Sequence, residues 1–233
     1  MNTNRAVTGG LFILVPLVFM LGFTGLQMSF DYPGILRHEA GEILTRFAGA
    51  GPELRIYWYA MFLAALGLIP AAAGFAVLSW RQSDYLAALS GAFGLLAGLV
   101  QALGLLRWVM LTPHLAAAYV DPGATDLGRA LAASSFDAAN AYLGMGVGEH
   151  LGYLFTALWT LSVAALIGAR LRVFSWIGVV LAVGVLIGMA EPFGFPRAAT
   201  VNALAFTGWS VWALVLGVLV LWRPRALPIA VAA

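Results

Sequence analysis

Six stretches of this chain are each apolar enough and long enough to cross a lipid bilayer: Val7–Met28, Tyr57–Trp80, Tyr85–Thr112, Ala139–Ala169, Val173–Ala190 and Val201–Trp222. A hydrocarbon core of about 30 Å needs roughly 20 residues of helix. Backbone placed in that core must satisfy its own N–H and C=O groups, which restricts it to helices or closed barrels. These runs are continuous rather than alternating, so the expectation is all-α: an integral membrane bundle of six transmembrane helices, with one membrane domain over residues 1–233. Little of the chain is left for a water-facing surface. Only 9% of its 233 residues are charged and 62% are hydrophobic, where a soluble domain carries about a quarter charged.

Charge narrows the function classes. The formal net charge is +2, but the arginines are scattered singly and form no patch suited to phosphates, so no nucleic-acid partner is expected. All twelve basic residues are Arg. The lack of lysine excludes Schiff-base chemistry. The lack of cysteine excludes disulfides, thiolate nucleophiles, iron–sulfur clusters and Cys-based zinc sites. Arg5, Arg81, Arg170, Arg172, Arg223 and Arg225 fall on one side of the spans, in short or terminal segments; Arg37, Arg46, Arg55, Arg129 and Arg197 fall on the other, mostly in long loops. Arginine density near helix ends predicts that both termini are cytoplasmic. The first run follows Arg5, but Gly25-Leu26-Gln27-Met28 offers no small-x-small cleavage site, so it reads as a retained helix.

Within the spans, Trp58, Tyr59, Trp80, Tyr85, Trp108, Trp176 and Trp222 lie near helix ends, where aromatic rings sit at headgroup level. Gly94/Gly98, Gly144/Gly148/Gly152 and Gly184/Gly188 have the four-residue spacing that lets helix backbones approach closely. Pro16 and Pro70 fall inside spans. Both long loops lie on the predicted outer side and form helical caps. In the first, Asp31-Tyr32-Pro33-Gly34 signals a turn. A helix over Ile35 to Phe47 then carries an apolar stripe of Leu36, Ala40, Ile43, Leu44 and Phe47, with Arg37, His38, Glu42 and Arg46 opposite it or on its flanks. In the second, Thr112-Pro113-His114 opens a helix, Asp121-Pro122-Gly123 ends it and Thr125-Asp126 opens another.

Ionisable groups inside a membrane are costly and mark functional sites. Arg107, Glu149 and His150 are the ones within the predicted spans, and they form the candidate ligand-binding set, with an Arg107–Glu149 ion pair expected. All three histidines fall in the outer half. His38, Glu42, His114 and His150 are the residues that would hold a metal ion if the first loop helix folds over the mouth of the bundle, since imidazole and carboxylate suit zinc, copper or non-haem iron. A haem held by two histidines would need His114 to join His150 from the membrane edge. No nucleophile elbow, phosphate-cradling glycine loop or HExxH helix is present in the sequence. Gln101 and Asn202 are expected to hydrogen-bond between helices.

Arg5-Ala6-Val7-Thr8-Gly9-Gly10-Leu11 leading into the first span, and Gly146-Val147-Gly148-Glu149-His150-Leu151-Gly152-Tyr153 before Trp159-Thr160, resemble a bacterial multi-pass membrane family described as domain of unknown function 4386. The resemblance implies a multi-pass membrane protein and brings no activity or site residue. Three functions follow from the residues themselves. The first is an outward-facing polar pocket around Arg107, Glu149 and His150 that binds or passes a small molecule, ion or proton. The second is a metal- or haem-binding membrane enzyme or sensor. The third is an accessory subunit, or homo-oligomer, packed through the glycine seams.

Overall fold

The computed structural model describes residues 3–195, 197–223 and 227; of the arginines used for orientation, Arg225 lies outside them. The described elements are all helical. They run α1 (Thr3–Phe30), a 3-10 turn (Gly34–Arg37), α2 (Ala40–Gly49), α3 (Pro52–Ser79), α4 (Asp84–Met110), α5 (Thr112–Val120), α6 (Asp126–Ala139), a π-helical segment (Asn140–Leu151), α7 (Gly152–Ile167), α8 (Arg172–Ile187), a second 3-10 turn (Gly188–Phe193) and α9 (Ala198–Trp222). Six helical stretches are long and apolar enough to cross a membrane, as the sequence predicts. Two are longer than expected: α4 continues almost without interruption into α5, and α6, the π segment and α7 run on as one stretch of 42 residues.

The chain forms two compact units, each assembled from distant stretches. The first comprises Met1–Leu17, Ala64–Val100 and His150–Ala233. Its core is built around Trp159, which stacks on Phe12 at 5.6 Å and meets Trp209 and Trp212 edge-on at 5.8 and 6.1 Å. Here polar groups act as interhelical ties. Trp209 Nε1 donates to Thr160 Oγ1 at 2.8 Å, Trp212 Nε1 to the Phe174 carbonyl at 3.0 Å, and Asn202 Nδ2 to the Val185 carbonyl at 2.8 Å. The predicted glycine seams face neighbours within the chain. Gly94 packs on Ala72 and Trp159, Gly98 on the Ala65 carbonyl and Ile69, Gly184 on Ala205 and Gly188 on Asn202.

The second unit comprises Val18–Leu63 and Gln101–Glu149. Its cap is α2 packed on α5 and α6. Of the predicted stripe, Ala40, Ile43, Leu44 and Phe47 are buried and Leu36 is half-buried, while Arg37, His38, Glu42 and Arg46 are exposed. The helix over Ile35 to Phe47 is nevertheless broken, because His38 and Glu39 adopt extended backbone between the 3-10 turn and α2. Thr125 caps α6 as expected, its Oγ1 accepting from Gly128 N–H at 3.1 Å. Thr112 instead turns back, donating from Oγ1 to the Arg107 carbonyl at 3.0 Å.

Two expectations need correction. Trp58 and Trp108 are fully buried rather than placed at the headgroups, whereas Trp80, Tyr85, Trp176 and Trp222 are exposed. Their rings stack on each other at 4.4 Å and 4°. Neither indole face is left for lipid. The predicted α-helix over Ala139–Ala169 also begins in π geometry. Such geometry is mostly confined to single turns and is frequent at functional sites, yet here it runs for 12 residues. Gly144, Gly146 and Gly148 explain the permissiveness, since each glycine weakens an α-helix interior by about 1 kcal/mol relative to alanine.

Gly148 also brings this segment against α4. A Cβ added at Gly104 would lie 2.5 Å from the Gly148 Cα and 3.0 Å from the Leu143 carbonyl, both backbone atoms that cannot rotate away. Gly104→Ala is therefore expected to destabilise the protein by about 1–3 kcal/mol. Gly10→Ala, in α1 with nothing within 4 Å of the added methyl, should be neutral or stabilising. Unfolding in mixed detergent micelles checks both.

Candidate functional site

Arg107 stands near the end of α4, and 7% of its surface is exposed. Burial of a guanidinium demands hydrogen bonds, because its charge cannot be removed by deprotonation. Nη1 donates to the Gly104 carbonyl at 2.6 Å, and Nη2 donates to Asn140 Oδ1 at 2.9 Å. The Cζ atom lies 5.3 Å from the centroid of the Trp108 ring, a cation–π contact. Gly144 leaves room for the head group, since a Cβ there would meet Arg107 Nη2 at 2.5 Å.

Glu149 reaches Arg107 as a charge. Two hydrogen bonds of the guanidinium go to a backbone carbonyl and an amide, and the Glu149 charge acts on the same group. The π geometry accounts for the placement of Glu149. In an α-helix, residues five apart are turned about 140° from each other. In a π-helix the hydrogen bond itself runs from i to i+5, so Glu149 returns to the side of Gly144, where Arg107 sits.

Tyr32 completes the group. The Asp31–Gly34 turn, closed by Ile35 N–H donating to the Asp31 carbonyl at 2.8 Å, sets the phenol edge-on against Trp58 at 5.0 Å and Phe23 at 5.7 Å. Burial pushes the Tyr32 hydroxyl well above the ordinary tyrosine range; the Glu149 charge raises it further and Arg107 partly offsets this. The phenol therefore stays protonated far beyond neutral pH. Around these residues lies an aromatic layer in which Trp108 also stacks on Phe47 at 6.0 Å and meets Phe30 and Phe136 edge-on.

Three donors in this layer make no hydrogen bond among the described residues, although each is buried: Arg107 Nε, Trp58 Nε1 and Trp108 Nε1. A buried, unsatisfied donor costs about 1–3 kcal/mol.

The remaining candidates are placed as follows. His38 Nδ1, just before α2, and Glu42 Oε2 are 2.9 Å apart, and Glu42 Oε1 is 2.7 Å from Arg46 Nη2, all three side chains being exposed. The hydrogen bond from His38, helped by the charge of Arg46, holds the Glu42 carboxyl below its usual range. His114 is exposed on α5. His150 follows Glu149 in the π segment but belongs to the first unit. Among the described residues no three His, Asp or Glu side chains gather closely enough to hold a metal ion. Tyr32 and Asn140 are the site members that sequence reasoning missed. Asn140 carried a readable signal, as a polar side chain at the start of an apolar run; Tyr32 was hidden inside a turn motif.

Residues 7–223 match the family model described as Domain of unknown function (DUF4386). The chain belongs to this family. No curated protein and no solved structure matches it. In this DUF4386 member the polar group of the second unit is thus defined by its own geometry: Arg107, Asn140, Tyr32 and Glu149 beside stacked indoles.

The raised Tyr32 value has a consequence for stability. An unfolded tyrosine loses its proton near pH 10, whereas the buried Tyr32 keeps it. Above that pH the unfolded chain binds fewer protons, so stability falls as pH rises. Tyr32→Phe removes this contribution. Alkaline unfolding in detergent should begin at higher pH in the variant than in the wild type, once the two are matched for stability at pH 8.

Proposed function

We propose that this multi-pass membrane protein binds or passes a small ligand or proton through a polar pocket of its second unit, and that Arg107 and Glu149 carry the function. The observation behind the reading is the buried guanidinium of Arg107, held by Gly104 and Asn140 and subject to the charge of Glu149. A purely structural tie between helices is available without any charge, as Asn202 and Trp209 show in the first unit. Keeping an arginine and a carboxylate at membrane depth costs several kcal/mol that such ties avoid. Glu149 is the proton-exchanging member, Arg107 the fixed positive charge, and Tyr32 a neutral hydroxyl within their field. His150, next in the chain, is not needed for this reading.

Proton flux into proteoliposomes, followed with an enclosed pH-sensitive dye, tests it. Wild-type protein should conduct above protein-free liposomes, and Glu149→Gln should lower the rate at least tenfold while leaving the helical circular dichroism and elution volume unchanged. Unaltered flux in a folded Glu149→Gln protein would remove Glu149 as a proton carrier.

Arginine placement favours cytoplasmic termini in a bacterial plasma membrane, which puts α2 and the α4–α5 junction outside. The cysteine-free sequence makes this checkable. In intact cells, an impermeant maleimide should label His38→Cys, exposed just before α2, and spare Arg81→Cys between α3 and α4. The opposite pattern would invert the orientation.

A further inference from the structure

The three unpaired donors of the second unit have a common chemistry. An indole N–H and a guanidinium N–H can donate but not accept, so Trp58 Nε1, Trp108 Nε1 and Arg107 Nε cannot satisfy one another. They belong to one contiguous layer: the Trp58 and Trp108 rings stack at 4.4 Å, and the Arg107 guanidinium lies 5.3 Å from the Trp108 ring. In the first unit Trp209 and Trp212 find acceptors while Trp159 Nε1 does not among the described residues; what sets the second unit apart is that two such indoles stack on each other beside the buried Arg107 guanidinium. A cluster of donors without acceptors, beside a buried positive charge, calls for an occupant that offers only lone pairs.

We propose that Trp58, Trp108 and Arg107 form a binding site for a small monatomic anion of the halide type, taken up together with a proton on Glu149. The inference rests on the pocket reading above and names its ligand class. Size follows from the packing: the indoles are in ring contact, Gly104 and Gly148 approach backbone to backbone, and the Gly144 side faces the guanidinium, which excludes bulky oxyanions and metabolites. Charge sets the coupling. The charged or titratable groups that act on one another here are Arg107, Glu149 and Tyr32. With Glu149 ionised, its charge offsets that of Arg107 and an anion gains little. With Glu149 protonated, the guanidinium charge is uncompensated in a low-dielectric setting and attracts the anion strongly. Tyr32 remains a neutral phenol throughout and does not compete as an anion. By linkage, the bound anion strengthens proton binding at Glu149 by the same factor. One anion and one proton enter together, and no bond is made or broken.

Equilibrium binding of radiolabelled chloride to the detergent-purified protein tests this, with gluconate holding ionic strength constant. Wild-type protein should bind close to one chloride per chain, with affinity at least tenfold higher at pH 5.5 than at pH 8. Glu149→Gln, which fixes the neutral form, should bind tightly at both values. Trp108→Phe, which keeps a stacking ring but deletes one donor, should bind at least fivefold more weakly. Absence of saturable chloride binding to the wild-type protein at either pH overturns the proposal, as does unchanged affinity in Trp108→Phe. The outcome is separable from the pocket reading. Loss of proton flux in Glu149→Gln without chloride binding leaves a proton pathway and removes the anion; chloride binding with unaltered flux in that variant does the reverse.

Discussion

The second unit is organised by the need to keep one guanidinium charged where water is scarce. Arg107 cannot lose its proton, and its burial is tolerable only with hydrogen bonds and compensating charge close by. The structure supplies the Gly104 carbonyl on the same helix, the Asn140 amide from the next long stretch, and the field of Glu149. Each supplier constrains its surroundings. Gly104 must lack a side chain because Gly148 abuts it, Gly144 must lack one because the guanidinium occupies that space, and Trp108 lies close enough for its ring to face the cation. The aromatic layer from Tyr32 through Trp58 and Trp108 to Phe47 then shields the group on the side of the α2 cap.

The π segment is the backbone counterpart of the same constraint. An α-helix through residues 140–151 would turn Glu149 away from the side that Gly144 presents to Arg107. The wider i to i+5 register returns it there, at the expense of the tighter packing an α-helix makes. The first unit shows the contrast. Its long helices are mainly α-helical and are knit by Trp159, Trp209, Trp212 and Asn202, with the Trp209, Trp212 and Asn202 donors matched to acceptors. Buried donors without a partner among the described residues occur in both units, Trp159 Nε1 in the first as well as Trp58 Nε1, Trp108 Nε1 and Arg107 Nε in the second, whereas the long π segment falls almost wholly in the second.

Most of the architecture was legible in the residues. Apolar run length determined the six spans, the stripe Ala40–Ile43–Leu44–Phe47 identified the buried face of α2, and Thr125 marked the start of α6. The family resemblance also held. Arg107 and Glu149 stand out in the sequence because charge in an apolar run needs a reason. What stayed hidden depends on register and burial. A π-helix has no simple residue signature beyond permissive glycines, so the partnership of Asn140 with Arg107 could not be read from spacing. Trp58 and Trp108 sit near the ends of spans, the position that headgroup-facing tryptophans share, and only the cap folded over them makes them core residues. The distances between the histidines likewise depend on packing rather than on sequence position; of the candidate ligands, His38 and Glu42, four residues apart, lie 2.9 Å from each other.

The central claim is that Arg107 and Asn140 act as a unit. A double-mutant cycle on unfolding free energy tests it most directly, with Arg107→Met, Asn140→Leu and the double variant measured in the same mixed micelles. The account predicts a coupling of about 1.5–3 kcal/mol, as for a buried hydrogen bond to a charged group, with the double variant no less stable than the sum of the single losses would allow. Losses that add to within about 0.5 kcal/mol would mean that the two residues are energetically independent, and the account of this unit would be contradicted.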